Sequence, residues 1–395
     1  MASQNLVPRN STHNISKITR ALDPTALLFY AFLLLPLLYV HGAPITSRAI
    51  RFAVLLGVLL LSLTLLSVRN KFIMNVKNLP WAAKIALAVM LAGSVISTLL
   101  SSDSLEIRLL GLVPEYLGLL IWVSFIVVGI AFLDRAKELL TSKITLAIFL
   151  VITLASLYIS MSELRLGLRL QGLLFQATTM GMFSVLAFIV GLYGLDTAKD
   201  ARHKALATIL LLASFSAVIL SQSRISYIAM SLLCCAVVFL AWYKNRTLVV
   251  VSLVAVATIL CLPWVFPDYF ERFHAASIKS GTEYRLDLYA ISGNDLLKNN
   301  TLVGNGPSSL PPSINNTNVV PEAIKESLKT GDVFLSTHNL FFDFAYYFGV
   351  ISCLALGVIS GLALFYGMRA KEFFLVGLFF VLLANALTNV PSLEL

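Results

Sequence analysis

The chain has 395 residues, of which 58% are hydrophobic and 12% charged, and its formal net charge is +9. Soluble domains carry about twice that fraction of charged residues, so the composition excludes a soluble globular protein. It predicts an all-α integral membrane protein with many spans. The positive charge does not indicate a nucleic-acid partner, because basic residues beside membrane spans account for it.

Apolar segments long enough to cross a bilayer, which takes about 20 helical residues, occur along most of the chain. Eleven spans are predicted, near 25–42, 50–68, 81–100, 109–133, 143–160, 177–195, 204–221, 225–243, 247–265, 340–367 and 372–390. We therefore divide the chain into a polar N-terminal tail, nine transmembrane helices, a large loop subdomain and the C-terminal transmembrane helices, at 1–24, 25–265, 266–337 and 338–395.

The distribution of lysine and arginine predicts the orientation of these spans. With a cytoplasmic N-terminus, the inside segments hold 17 basic residues and the short outside loops hold six. This bias favours that orientation and, with an odd number of spans, an outer C-terminus. Several polar or basic residues then fall at the outer face, namely Arg165, Arg169, Arg224, Arg285 and His338.

Arg224 lies in SQSRISY, between two apolar runs, with Gln222 and several serines beside it. An arginine stays charged in proteins, so its placement here predicts an anion clamp. Gln222 adds a hydrogen-bonding group that a plain turn does not need. The alternative is an interfacial arginine that contacts lipid phosphate.

Two further arginines precede the sixth predicted span. Arg165 and Arg169 are four residues apart, so on a helix they share one face and suit a diphosphate, which accepts several bidentate hydrogen bonds. Alternatively, one of them pairs with Glu163 and the other meets lipid headgroups. Arg285, in GTEYRLDLY, is on the sequence alone most simply a surface ion-pair partner.

His338 and Asn339 stand where the long polar loop meets an apolar run. An imidazole titrates near neutral pH and can act as a general base, so His338 is a candidate catalytic residue and Asn339 a candidate binding residue. The alternative for His338 is a satisfied interfacial histidine. Asn339 and Asp343 are also spaced to share one helical face, which predicts a polar stripe that needs a watery or protein partner.

These candidates are cations and polar groups without a carboxylate cluster that would hold a divalent ion. We therefore predict neither a metal site nor a cofactor. The four cysteines lie in apolar runs and favour small buried side chains over disulfides or zinc ligands; they are Cys234, Cys235, Cys261 and Cys353.

Four stretches between about 165 and 350 jointly resemble the O-antigen ligase superfamily of bacterial membrane glycosyltransferases, which also includes O-antigen polymerases and O-linked oligosaccharyltransferases. They are RLQG from Arg169, SQSRIS around Arg224, the segment from Arg285 to the glycines at 304 and 306, and His338-Asn339 with nine residues before Gly349. The order and spacing of these motifs carry the resemblance.

The resemblance implies a GT-C-like bundle of about 11–12 transmembrane helices with one long periplasmic loop. It also implies metal-independent transfer of a glycan from an undecaprenyl-diphosphate donor at the periplasmic face of the bacterial inner membrane. For an O-antigen ligase the acceptor is lipid A-core, and the catalytic residues would be His338, Arg224 and Arg285. A polymerase that extends lipid-linked glycan is the first alternative, and a transporter of lipid-linked oligosaccharide is the second.

Overall fold

A computed structural model describes a set of separate ranges of the chain. They are residues 26, 29–30, 57, 60, 64–101, 127, 130, 135–161, 170, 172–174, 177–242, 244–270, 273, 286, 289–298, 301–306, 339–370 and 372–388. Most of the spans predicted near 25–42 and 109–133 lie outside these residues. So do Arg165, Arg169, Arg285 and His338.

Within the described ranges the regular structure is helical. The helices are α1 (Leu66–Asn78), α2 (Trp81–Leu100), α3 (Ala136–Leu140), α4 (Lys143–Ile159), α5 (Ala177–Thr197), α6 (Ala201–Ser221), α7 (Arg224–Ala241), α8 (Arg246–Val265), α9 (289–298), α10 (Leu340–Arg369) and α11 (Phe373–Thr388). A short 3₁₀ turn, Gly172–Leu174, precedes α5.

Six of the described helices are long and apolar enough to cross a membrane, namely α2, α5, α6, α7, α8 and α10. Their residues are mostly hydrophobic all round, which is typical of helices buried in protein on one side and in lipid on the other. The predicted class, an all-α integral membrane protein, is confirmed.

Helix α5 lies at the centre of the described bundle and packs against α4, α6, α7 and α11. Its side chains from Met182 to Tyr193 contribute to the largest buried hydrophobic cluster. On the other side of the bundle, α2 packs against α10, and α10 also contacts α11. The bundle is therefore built around two packed groups, with α11 touching both.

One end of the bundle, here called the basic end, gathers lysines and arginines that flank the spans. Lys143 at the start of α4 bonds Asp200 at the start of α6, over 2.8 Å. Asn245, before α8, donates to Asp196 near the end of α5. Tyr193, also near the end of α5, stacks on Phe374 of α11 at 4.5 Å. The opposite end, here called the site end, holds the α6–α7 turn and the beginning of α10.

Helix α10 differs from the single span predicted near 340–367. Gly349 has non-helical backbone angles, φ 84° and ψ 159°, so α10 consists of two helices, α10a (340–348) and α10b (350–369). The prediction of one continuous span was wrong, because apolar composition alone does not reveal a break between two helices. Only α10b, with 20 residues, has the length of a complete span.

The second predicted span also ends earlier than its apolar run indicated. Residues 57, 60 and 64 are helical, but Leu65 is extended, and α1 begins separately at Leu66. Part of the segment predicted as a loop subdomain is helical as well, since α9 lies within 266–337. Tyr289 of α9 stacks on Phe342 of α10a with the ring centroids 5.4 Å apart, and a Cβ atom on Gly293 would lie 3.3 Å from the Phe342 ring.

Candidate functional site

The chain reverses direction at Gly349, so α10a lies back against α10b. Cys353 Sγ donates to Phe341 O at 3.1 Å, although the two residues are 12 positions apart. On one continuous helix these residues would be about 18 Å apart. The contact therefore requires a sharp turn, and it places the start of α10a beside the first turns of α10b.

A short segment, residues 301–306, fills the gap that this reversal leaves in the backbone hydrogen bonds. Val350 N donates to Thr301 O at 3.0 Å, Asn305 N donates to Tyr346 O at 2.9 Å, and Gly306 N donates to Tyr347 O at 3.0 Å. Buried carbonyl and amide groups need such partners. The glycine-containing segment is thus part of the framework that holds α10a, although 33 residues separate Gly306 from Leu340.

Three glycines make this close approach of backbones feasible. Gly304, Gly306 and Gly349 all have positive φ angles, between 82° and 98°. A Cβ atom on Gly349 would collide with Leu302 O, and one on Gly304 with Tyr347 O. The structure therefore gives a physical reason for two motifs that the sequence presents separately, the glycine pair before the long loop and Gly349 after His338-Asn339.

Asn339 caps the start of α10a. Its Oδ1 accepts hydrogen bonds from Phe341 N at 3.0 Å and from Phe342 N at 3.2 Å. Asp343, the other residue of the predicted polar stripe, and the nearby Tyr346 and Tyr347 are each 3% exposed. The partner of that stripe is protein, because α10a packs against α2 and α9. Whether Asn339 also contacts substrate stays a prediction.

Arg224 is the first residue of α7 and follows a tight turn at the end of α6. Gln222 has φ 47° and ψ 32°, a left-handed conformation that ends α6. Ser223 Oγ accepts from Ser226 N and caps α7. Gln222 and Ser223 are buried, whereas Arg224 is partly exposed. The turn therefore presents the guanidinium beside the N-terminal end of a helix, where the helix dipole adds partial positive charge.

The α6–α7 turn packs closely against α5 through small side chains and one glycine. Ser221 and Ser226 are fully buried, and a Cβ atom on Gly181 would collide with both hydroxyls. Leu170 N also donates to Leu220 O at 3.0 Å, next to the turn. The residue that follows Arg169 in the sequence is thus anchored where α6 ends.

The structure brings the described candidates to the same end of the bundle. Gln222 and Arg224 lie in the α6–α7 turn, and Asn339 begins α10 at that end. Among the candidates outside the described residues, three directly precede a described residue: Leu170 follows Arg169, the helical Leu286 follows Arg285, and Asn339 follows His338. The positions of those three side chains remain predictions, as does that of Arg165.

Sequence reasoning missed Ser97 and Ser101 on α2. Ser97 Oγ donates to Tyr347 O, one of the carbonyls freed by the reversal, and Ser101 lies against Gly306. Both side chains are buried. The run of hydroxyls at the end of this span, Ser94, Ser97, Thr98 and Ser101, was the available signal, since lipid-facing helix ends do not need it.

Comparison with known proteins matches the part of the chain that contains the α6–α7 turn and the reversal at Gly349. A family model described as O-antigen ligase matches residues 208–357. The matched segment begins in α6 and ends in α10b, so it includes the α6–α7 turn, α9, the glycine pair and the reversal at Gly349. No curated protein matches the chain. The match supports the superfamily that the motifs resemble.

Proposed function

We propose that the chain is a member of the O-antigen ligase superfamily, and specifically a ligase that transfers O-antigen glycan from undecaprenyl diphosphate to lipid A-core. The superfamily covers ligases and polymerases, both of them glycosyltransferase-like enzymes. The observation that carries the proposal is the match over residues 208–357, which contains Arg224, Arg285 and His338 in the order expected from the motifs.

In the proposed reaction, His338 accepts the proton of an acceptor hydroxyl, whose oxygen attacks the anomeric carbon of the donor. A new glycosidic bond forms as the bond between that carbon and the diphosphate oxygen breaks. The diphosphate then carries the negative charge away, without any requirement for a cofactor. His338 is assigned as the base because its unperturbed pKa lies near neutral pH.

Arg224 and Arg285 are proposed to stabilise the charge that develops on the leaving diphosphate. Such preorganised electrostatic groups typically contribute a few kcal/mol each to catalysis. The position of Arg224 at the start of α7 supports this role, since helix N-termini favour phosphate groups. Arg165, Arg169, Gln222 and Asn339 are proposed to bind the substrates.

We place the active site at the periplasmic face of the inner membrane. The gathering of Lys143, Lys199, Arg246 and Arg369 near one end of the bundle supports this orientation, because cytoplasmic loops carry an excess of basic residues. The site end, with Arg224 and Asn339, would then meet the outer leaflet, where a lipid-linked glycan is presented.

A purified-protein assay tests the proposal directly. The protein in detergent, given lipid-linked glycan and lipid A-core, should form a covalent product without ATP or added divalent ion. Movement of the lipid-linked donor across a vesicle membrane, with no covalent product, would instead identify a transporter.

The gel pattern of lipopolysaccharide from a deletion strain separates the ligase from the polymerase. Loss of all O-antigen from lipid A-core, with polymer still accumulating on the lipid carrier, is expected for a ligase. A single repeat unit left on the core would identify a polymerase, which is the alternative that the same superfamily allows.

A further inference from the structure

Helix α1 is a separate element that is too short and too polar to cross a membrane. Its 13 residues begin after Leu65 and end before Leu79, both in extended conformation. The preceding residues 57, 60 and 64 belong to a predicted span, and α2 starts at Trp81. A polar helix between two membrane helices, bounded by a break on each side, is typical of an element that lies at the membrane surface.

The contacts of α1 show that it runs across the ends of several segments. Val68 is fully buried in a cluster with Ala26, Phe29 and Leu139. Further along, Asn75 Nδ2 donates to Ile130 O at 2.8 Å. Three parts of the chain, around 26–29, 130 and 139, therefore meet one helix about 20 Å long. Leu139 belongs to α3, just before Lys143, so α1 lies at the basic end.

The remaining face of α1 combines exposed apolar and basic side chains. Ile73 is 43% exposed and Met74 58%, and the neighbouring Trp81 is 77% exposed. Arg69 and Lys77 are exposed as well. The sequence from Leu66 to Lys84 contains no aspartate or glutamate, whereas basic residues elsewhere at this end, Arg135 and Lys143, have nearby carboxylates.

We propose that α1 is an in-plane anchor that binds anionic phospholipid headgroups of the leaflet at the basic end. Arg69 and Lys77 would contact headgroup phosphates, while Ile73, Met74 and Trp81 enter the boundary of the acyl chains. A basic residue near an anionic membrane surface contributes enough to enrich anionic lipid several-fold. This inference does not depend on the proposed glycosyl transfer.

Trp81 provides a local probe of the lipid beside α1. We would replace Trp122, Trp242 and Trp264 with phenylalanine, reconstitute the protein in mixed bilayers, and compare quenching by brominated phosphatidylglycerol and brominated phosphatidylcholine. We expect the anionic lipid to be favoured near Trp81 by about threefold or more. This lipid preference should fall toward unity in the double variant Arg69→Gln/Lys77→Gln. It should also fall when Arg69 and Lys77 are kept and the salt concentration is raised to about 0.5 M, which screens surface charge.

Two controls make the result specific. The variant Lys199→Gln/Arg202→Gln removes two exposed bases from another segment of the same end and should keep the preference at Trp81. In a background that retains only Trp264, which is 87% exposed at the far end of α8, the α1 substitutions should change nothing. Equal quenching by the two lipids beside Trp81, or a preference that survives both the α1 substitutions and salt, would overturn the proposal.

Discussion

The residues around Arg224 fix the backbone of the turn in which it lies. The left-handed Gln222 ends α6, Ser223 caps α7, and the buried serines at 221 and 226 pack on Gly181. These features set the direction in which α7 begins and therefore where the guanidinium starts. These contacts come from residues other than Arg224, so they remain when the side chain at position 224 is changed.

Replacement of His338 and replacement of Arg224 should impair different steps of the reaction. His338→Ala should lower single-turnover transfer by at least about 10²-fold while donor binding is retained, because general base catalysis acts on the acceptor. Arg224→Ala should weaken donor binding as well, since its guanidinium meets the diphosphate before the reaction. Arg224→Lys should restore little, because an ammonium lacks the planar fork that matches two phosphate oxygens.

Donor binding and single-turnover transfer in nanodiscs would measure these differences. Near-normal transfer by His338→Ala, or unchanged donor binding by Arg224→Ala, would contradict the assigned roles while leaving the superfamily intact. Lys244→Ala, at the opposite end of α7, serves as a matched control for loss of one cation.

Asp200 carries two separable roles at the basic end. Its Oδ1 accepts from His203 N and caps α6, and its Oδ2 bonds Lys143. The hydrogen bond from Lys143, then that from His203, lowers the pKa of Asp200. A lowered pKa means that these contacts contribute to stability at neutral pH and are lost as the pH falls below about 4.

Replacement of Asp200 should separate the cap from the ion pair. At pH 7, Asp200→Asn keeps a capping oxygen and should lower the unfolding temperature only slightly, whereas Asp200→Ala should lower it more. The small effect of the first variant is expected because exposed ion pairs contribute little. Thermal unfolding in detergent would measure both, and equal losses would show that the ion pair, not the cap, dominates.

At the scale of elements, the reversal between α10a and α10b is the feature on which the site end depends. It joins α10 to residues 301–306, to α2 through Ser97, and to α9 through Phe342. Residues 301–306, α2, α9 and α10 all meet near the reversal. A change in any of them is therefore expected to alter the position of the start of α10a. Their junction is narrow enough to require glycine at three positions.

Gly349→Ala should therefore damage both stability and transfer. Its backbone angles lie in a region open essentially to glycine alone, which costs about 1–3 kcal/mol for other residues, and its new Cβ atom would also collide with Leu302 O. Gly357→Ala is the matched control, because it lies in α10b with nothing within 4 Å of a new Cβ atom. Thermal unfolding and transfer assays would compare them; equal behaviour would contradict the reversal.

At the scale of the whole molecule, the two ends of the bundle have different chemistry. Lysines, arginines and their carboxylate partners gather at the basic end, while the α6–α7 turn, the glycine pair and the start of α10 lie at the site end. The buried core of α5 separates them. Gln222 and Asn339, two of the described candidates, occur at the site end.

Cysteine labelling in whole cells should reveal which end faces outward. In a background without the four native cysteines, Asp268→Cys, exposed after α8, should react with a membrane-impermeant maleimide. Lys199→Cys, exposed between α5 and α6, should react only after the membrane is opened. Labelling of Lys199→Cys in intact cells, with Asp268→Cys protected, would reverse the proposed orientation and place the site end inside.

The sequence by itself determined the class of the protein and most of the described spans, and its motifs pointed to the superfamily whose model matches residues 208–357. Long apolar runs and the basic residues between them are local properties, so they were readable without the fold. Arg224 was a candidate because a charge between two apolar runs is unusual, and its role stays a prediction. Four other candidates, His338, Arg285, Arg169 and Arg165, lie outside the described residues and stay predictions.

Only the tertiary structure decided that α10 turns back at Gly349 and that residues 301–306 supply hydrogen-bond partners at the turn. It also decided that Ser97 of α2 donates a hydrogen bond to Tyr347 O, and that α1 lies across the ends of other segments. Each of these depends on hydrogen bonds or packing between residues far apart in the sequence; Ser97 and Tyr347 are 250 positions apart. The length of a hydrophobic run indicates how long a membrane helix can be. A break within that helix is stable only where another segment supplies hydrogen-bond partners for the freed backbone groups.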